Sequence, residues 1–223
     1  MILQGTLQAK LEAGLLEMGL QISVEKQAKL IAYLLLIDKW NKVHNLTSVR
    51  DPLEMVTLHL LDSLSVLPYF QHSNLQCKSL LDVGAGAGLP SIPLAICLPE
   101  LQVTAIDSVQ KKTSFMRQVK GELGLGNFNV ESGRVELLKK EAFNQGLGFD
   151  AIISRAFAEI SLFIKLTRHL LSAHGQWFAM KGIVPTHEFE SQDFIRMNIQ
   201  PSKIEVLNVA GLKAERHLII LTN

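Results

Sequence analysis

The chain has 223 residues, 48% of them hydrophobic and 19% charged, which is enough apolar material for one substantial core. Its 22 basic and 21 acidic residues nearly cancel and are not blocked into tails, so attraction to a polyanion must come from a local patch rather than from net charge. Cys77 and Cys97 fall short of a disulfide framework or a metal cluster, and the longest apolar run, residues 30–37, is too short to cross a bilayer. No export signal opens the chain, so a reducing, cytoplasmic setting without a bound metal is expected.

Residues 1–19 alternate apolar and polar side chains at helical spacing until Gly19 interrupts. Ser23 with Glu25 and Lys26 reads as a helix start, and Val24, Ala28, Ile31, Leu35 and Ile37 carry an amphipathic helix to Trp40. The period breaks over residues 41–48. Asp51, Pro52 and Glu54 then combine an N-cap, a first-turn proline and a box-forming acid, opening a helix expected to run to Leu67 and stop at Pro68. Within it His59, Asp62 and Ser63 lie three and four residues apart. Without a nucleophile elbow they read as capping and packing residues, not as a hydrolytic triad. Because no convincing strand occurs here, residues 1–75 are expected to form a helical cap on a domain of residues 76–223, the two making one structural unit.

From Leu80 onward strands alternate with helices. Strands are expected near 79–83, 102–107, 127–131, 149–154 and 175–181, with helices opening near Pro90, Val109, Arg134 and Glu159, a pattern that gives an α/β, doubly wound, mostly parallel sheet. Residues 204–209 and 217–221 are also strand-like, and the segment containing Gly211 between them is too short for a helix. A terminal antiparallel hairpin at the sheet edge follows.

The candidate chemistry centres on LLDVGAGAGLP, residues 80–90. Leu80, Leu81 and Val83 form a buried-strand run that stops at Gly84, Gly86 and Gly88, and a helix start follows with Pro90 and Pro93 in its first turn. Such a turn brings backbone N–H groups close to a ligand. Asp107 ends the next strand about twenty residues on, where a carboxylate grips a ribose hydroxyl pair. The glycines fall as G-x-G-x-G, and Leu89 occupies the position that the dinucleotide fingerprint reserves for glycine, which favours S-adenosylmethionine over NAD. By position, Arg134, Val135 and Glu136 face an adenine, with Glu136 equally readable as a first-turn acid favouring the helix dipole.

Strand four ends in Ser154-Arg155-Ala156-Phe157. It lacks the N-P-P-Y run that accepts protons from an exocyclic amine, and no cysteine sits on strand four or five for covalent attack on a pyrimidine. Arg155, costly at a strand end unless paired, is expected to meet a methionine carboxylate, a phosphate or an acid of the fold. Basic residues that could rim the mouth are Lys111, Lys112, Arg117 and Lys120, then Lys165, Arg168 and His169. Lys181 and Arg216 adjoin strand ends and are the candidate substrate-binding residues.

The runs WNKVHNLTSVRDPLEM (residues 40–55), HLLDS (59–63), LLDVGAGAGLPSIPLA (80–95), DAIISRAFA (150–158), MKG (180–182) and ERHLI (215–219) resemble the bacterial small-subunit rRNA guanine-N7 methyltransferases, also called the glucose-inhibited division protein B family. The resemblance spans most of the chain. It implies a Rossmann-like class I methyltransferase fold with an N-terminal helical cap, S-adenosylmethionine as donor, and a guanine in the decoding-region loop of 16S rRNA as target. Its cofactor positions carry over to Gly84, Leu89, Val135, Glu136 and Arg155, to which the residue-level reading adds Gly86 and Asp107. Ala87 stands where a proline is common in the family and Ser91 where a glycine is common. A monomer acting on 16S rRNA or a small-subunit particle, without a general base, is expected. A small-molecule methyltransferase and a non-catalytic cofactor-binding module are the alternatives on the same fold.

Overall fold

A computed structural model describes residues 2–71, 77–199 and 201–222; the expected division at 75/76 lies outside them. Seven strands, β1 (Ser79–Val83), β2 (Gln102–Asp107), β3 (Phe128–Ser132), β4 (Phe149–Arg155), β5 (Leu171–Lys181), β6 (Pro201–Val206) and β7 (His217–Thr222), form one sheet in the order β3-β2-β1-β4-β5-β7-β6. The first five are parallel. β7 runs antiparallel to both β5 and β6, which gives the expected closing hairpin. All five residues of β1 are buried, as a central strand covered on both faces requires.

The N-terminal helices are α1 (Ile2–Glu17), α2 (Val24–His44) and α3 (Pro52–Met55). Ser23 caps α2 by accepting from the Lys26 N–H, and Asn45 closes it in the left-handed region at φ 48°. Past α3 the chain widens into a π-helical stretch, Val56–Leu61, before α4 (Asp62–Leu64) and α5 (Leu67–Gln71). Pro68 therefore lies in the first turn of α5 rather than ending a helix, since a proline at that position forfeits no internal hydrogen bond. Leu7, Leu11, Leu30, Tyr33 and Ile37 of α1 and α2 join Leu80, Val103 and Phe178 of the sheet in one apolar core. The same face carries α6 (Ser91–Cys97) and α7 (Gln110–Leu123). A second core on the opposite face packs α8 (Ile160–Thr167), α9 (Thr186–Phe189) and α10 (Gln192–Arg196) against Leu81, Ile152 and Trp177.

Two expectations are corrected. No α-helix opens at Arg134; residues 135–146 form three separate 3₁₀ turns, because Leu138, Lys139 and Phe143 are extended between them and Asn144, Gln145 and Gly146 take positive φ at the end. The last hairpin's first strand is Pro201–Val206, not 204–209, and Leu207 and Val209 are buried beyond its end. Among the described residues no helix is long and apolar enough to cross a membrane, and no group of three His, Cys, Asp or Glu side chains is placed to hold a metal.

Candidate functional site

Chain order reverses between β1 and β4: β2 and β3 lie to one side of β1, and β4 onward to the other. A switch of this kind opens a crevice beyond the carboxyl ends of the strands. Two adjoining cavities, about 560 and 370 Å³, lie there and share Gly84, Lys112 and Ala156 in their walls. A separate pocket of about 1060 Å³ opens at the other ends of the strands, beside Ser79, Gln102 and Phe149, and among the described residues gathers only Lys78 and Glu100 as charged groups. The position and chemistry of the first two cavities, the larger of about 560 Å³ and the smaller of about 370 Å³, identify the candidate site.

The glycine loop forms their shared floor. Gly84 and Ala85 donate to the Ile106 carbonyl, which binds the loop to β2. Gly84 has φ +69°, and a Cβ there would lie 2.6 Å from the Phe157 ring, so no larger residue fits. At Gly86, φ +62°, a Cβ would meet nothing closer than the Gly84 carbonyl at 4.0 Å and would project into open space beside the cleft. That space above exposed backbone is where a cofactor would lie. From α2, the buried Tyr33 hydroxyl donates to the Ala87 carbonyl at 2.7 Å and lies 3.3 Å from that of Gly88, so the helical region itself braces the loop.

Asp107 is buried at the end of β2 and borders the smaller cavity. One oxygen accepts from the Gly86 N–H at 2.9 Å and the other from the Val109 N–H at 2.8 Å, with Lys112 Nζ 3.7 Å away. Each oxygen retains a lone pair for a ribose hydroxyl, so the residue can tie the loop and hold a sugar together. Val135 and Glu136 border the same cavity; Val135 is buried, and Glu136 pairs with the exposed Arg134 at 3.1 Å. Leu89 is buried in the wall of the larger cavity.

The larger cavity carries the other expected residues. Arg155, at the end of β4, donates through Nη1 to the Leu58 carbonyl at 2.9 Å and to Asp62 Oδ2 at 2.7 Å. Arg216, just before β7, donates through Nε to Asp62 Oδ1 at 2.8 Å. Asp62 is 2% exposed and joins three distant parts of the chain, so it is a charge hub and not the capping or packing residue that its helical spacing suggested. Of the three anions open to Arg155, the structure shows the acid of the fold. The π-helical stretch makes this geometry: the Asp62 N–H is directed to the carbonyls of His59 and Thr57 rather than Leu58, whose carbonyl meets Arg155.

Lys181 donates to the Ala158 carbonyl at 2.9 Å and pairs with Glu188 at 3.1 Å, while Glu188 also accepts from the Ile160 N–H. Ala156, at φ 55°, turns the chain sharply after Arg155 and borders both cavities. Of the wider basic set, Lys112 lines the cleft, whereas Arg117 bonds to Val130 and Ser132, Lys120 to Asn129, and His169 to the Leu138 carbonyl. The wall formed by Leu46, Thr47, Ser48 and Val49 was not anticipated from local pattern. Asn41 shapes it by donating to the Val49 carbonyl and accepting from the Thr47 N–H.

His59 and Asp82 complete the electrostatics. Neither nitrogen of His59 has a hydrogen-bond partner; burial pushes its pKa from 6.5 down to about 4, against an opposing effect of the Leu58 carbonyl, so the ring is neutral at pH 7. Asp82 on β1 is fully buried, and burial raises its pKa from 3.8 to about 6; one oxygen accepts from the Ser91 N–H at 3.1 Å and the other is unpartnered. Lys112, Arg155, Lys181 and Arg216 line the larger cavity, and because Asp62, Asp107 and Glu188 pair with them the four cations leave a small excess of positive charge at the mouth.

Residues 26–219 match the family model described as rRNA small subunit methyltransferase G. A protein of Methylobacillus flagellatus named ribosomal RNA small subunit methyltransferase G is 56% identical over 96% of this chain and 98% of its own length. One of the same name from Aromatoleum aromaticum is 49% identical over 96% and 97%. Among solved structures, a tRNA methyltransferase of B. subtilis superposes with a TM-score of 0.54 at 15% identity, covering 72% of this chain and 64% of its own. A predicted O-methyltransferase of Agrobacterium tumefaciens gives 0.51 at 21% identity, covering 73% and 78%. Both share the fold.

Proposed function

The chain belongs to the rRNA small subunit methyltransferase G family, and from that premise we propose that it transfers a methyl group from S-adenosylmethionine to N7 of a guanine in the decoding-region loop of 16S rRNA. The observation that carries this reading is the pair of joined cavities: a glycine-floored slot bordered by the buried carboxylate of Asp107, adjoining a mouth lined by four cations. Gly84, Gly86, Leu89, Asp107, Val135, Glu136 and Arg155 hold the cofactor, Arg155 while it stays paired with Asp62, and Lys181 and Arg216 meet the RNA. The open backbone at Gly86 and the free lone pairs of Asp107 fit a nucleoside laid along the loop.

When bound, the cofactor supplies an electrophilic methyl group on a sulfonium sulfur. Guanine N7 presents a lone pair that carries no proton at neutral pH, so the cleft has to align the base and shape the field around it rather than remove a proton. This matches a strand-four end without N-P-P-Y and a neutral His59. The target base must leave its stack to enter the cleft, while cations at the mouth hold the flanking phosphates. Arg216 serves O6 or a phosphate and leaves N7 free, since the usual bidentate grip on O6 and N7 would block the reacting atom. The enzyme acts as a cytoplasmic monomer on 16S rRNA or a small-subunit assembly intermediate.

The test is to incubate the protein with methyl-labelled S-adenosylmethionine and total RNA, then separate the RNA species. Label confined to 16S rRNA is expected. Label in tRNA or 23S rRNA, or none in RNA, would overturn the assignment.

A further inference from the structure

Among the buried, unpartnered polar side chains of the described residues, His59 borders the cleft and has no task in methyl transfer. His59 is 5% exposed, borders the larger cavity, and has neither ring nitrogen hydrogen-bonded. Buried polar atoms in folded proteins are almost always paired; the Leu58 carbonyl, which already accepts from Arg155, can serve one ring nitrogen, so the other calls for a partner that arrives from outside. The ring also sits in the π-helical stretch Val56–Leu61, a rare widening of the helix that is frequent at functional sites. Arg155 and Asp62 are close enough to act on it electrostatically, which puts it beside the charge hub at the cleft.

We propose that His59 is a specificity-determining residue that reads the target guanine, one ring nitrogen accepting the N1–H of the base while an adjacent arginine donates to O6. This rests on the proposed rRNA methylation. A neutral imidazole offers one donor and one acceptor. The Leu58 carbonyl beside it is the acceptor available for the N–H, and an N–H held in that way leaves the other nitrogen with its lone pair. Both ring nitrogens are buried in the free protein, so a turn about histidine's broad second side-chain torsion has to accompany docking of the base. An acceptor next to an arginine donor is complementary to guanine, which shows N1–H beside O6. Adenine shows the reverse, a ring acceptor beside an amino donor, and would leave both protein groups unpaired. Contact through the Watson–Crick edge keeps N7 free for methylation.

Two variants test this, His59→Phe, which keeps a ring without nitrogens, and His59→Gln, which restores an acceptor. Small ribosomal subunits lacking the modification serve as substrate for single-turnover methylation, with S-adenosylmethionine affinity measured by calorimetry and stability by thermal unfolding. The Phe variant should lose roughly ten- to a hundredfold in single-turnover rate at subsaturating RNA, bind the cofactor within about twofold of wild type, and melt no lower than wild type. The Gln variant should recover part of the rate. Unchanged turnover with a lower melting temperature would make His59 a packing residue and overturn the proposal. A loss of cofactor affinity equal to the loss of rate would assign the ring to the cofactor instead. If wild-type protein fails to methylate the subunits, the fault lies with the proposed function and not with His59.

Discussion

Replacing Asp62 is the most informative perturbation of the charge hub. Its carboxylate side chain is 3% exposed, and it neutralises Arg155 and Arg216, whose side chains are 21% and 25% exposed. Removing one partner of a buried ion pair costs about 3–5 kcal/mol, because the remaining charge is left in a poor solvent. Here two arginines are left, but each keeps some access to water, so about 3–5 kcal/mol in total is expected for Asp62→Leu. For a domain of this size that is a fall in melting temperature of roughly 6–20 °C. Asp62→Asn retains one carbonyl acceptor and should cost less. The same Asp62→Leu change made in a protein already carrying Arg155→Met and Arg216→Met should cost little, since no charge is stranded and apolar side chains can replace the cluster. Urea unfolding of the single and combined variants gives the coupling directly. A cost below about 1 kcal/mol for Asp62→Leu in the wild-type background would show that the arginines relax into solvent and that the hub is not a structural element.

Asp107→Ala removes the carboxylate that meets the Gly86 and Val109 N–H groups, and cofactor affinity by calorimetry should fall roughly ten- to hundredfold; unchanged affinity would remove Asp107 from the site. Tyr33→Phe strips the buried Ala87 carbonyl of its donor and should cost about 1–3 kcal/mol in urea unfolding while weakening cofactor binding, although α2 supplies no cofactor-binding residue. His59 binds a proton near pH 6.5 when unfolded but only near pH 4 when folded, so its contribution is lost as pH falls through that window, by roughly 3 kcal/mol at the acid end. Asp82, raised to about 6, acts oppositely and stabilises on acidification over about pH 6 to 4; wild-type stability should therefore change little there, whereas His59→Phe should gain on wild type as pH drops. A stability difference between the two proteins that stays constant from pH 7 to pH 4 would contradict the buried, neutral imidazole. RNA affinity should weaken steeply between low and physiological salt, because cations at the mouth displace counterions from phosphates; a flat filter-binding titration would refute the electropositive mouth.

The parts of the fold legible in sequence were those set by local pattern. The cores of β1, β2 and β4, the glycine loop and the capped starts of α2 and α3 follow from apolar runs and turn or cap chemistry within a few residues. The helix expected at Arg134 failed because the chain is extended at Leu138, Lys139 and Phe143 and takes positive φ from Asn144 to Gly146, which leaves room only for single 3₁₀ turns. β6 was displaced for another reason: it is an edge strand, so Ile204 and Val206 are 43% and 74% exposed while Leu207 and Val209 fill the core, and hydrophobicity no longer marks the strand. The short helices α9 and α10 carry too few turns to show a period.

At the site, sequence placed the ends of the strands but not the pairings across them. Asp62, Arg155 and Arg216 are separated by 93 and 61 positions, and no local signal joins them. The run HLLDS contained both Asp62 and His59, yet helical spacing alone made them look like packing. What distinguishes them is the π-helical widening and the burial, which depend on the sheet that arrives later in the chain. The Tyr33 hydroxyl was invisible for the same reason, since a tyrosine in an apolar helical stripe gives no sign that its tip reaches a loop 54 residues away.

The most direct test of the central claim is the identity of the methylated nucleoside. Small subunits lacking the modification should be treated with the protein and S-adenosylmethionine over pH 6 to pH 9, and their 16S rRNA digested to nucleosides for mass spectrometry. One 7-methylguanosine per 16S rRNA is expected, formed at a single-turnover rate nearly independent of pH because no catalytic proton transfer is titrated. Methylation at an exocyclic amine or a ribose hydroxyl, or a bell-shaped profile with a limb that disappears on mutating one carboxylate or histidine of the cleft, would contradict it.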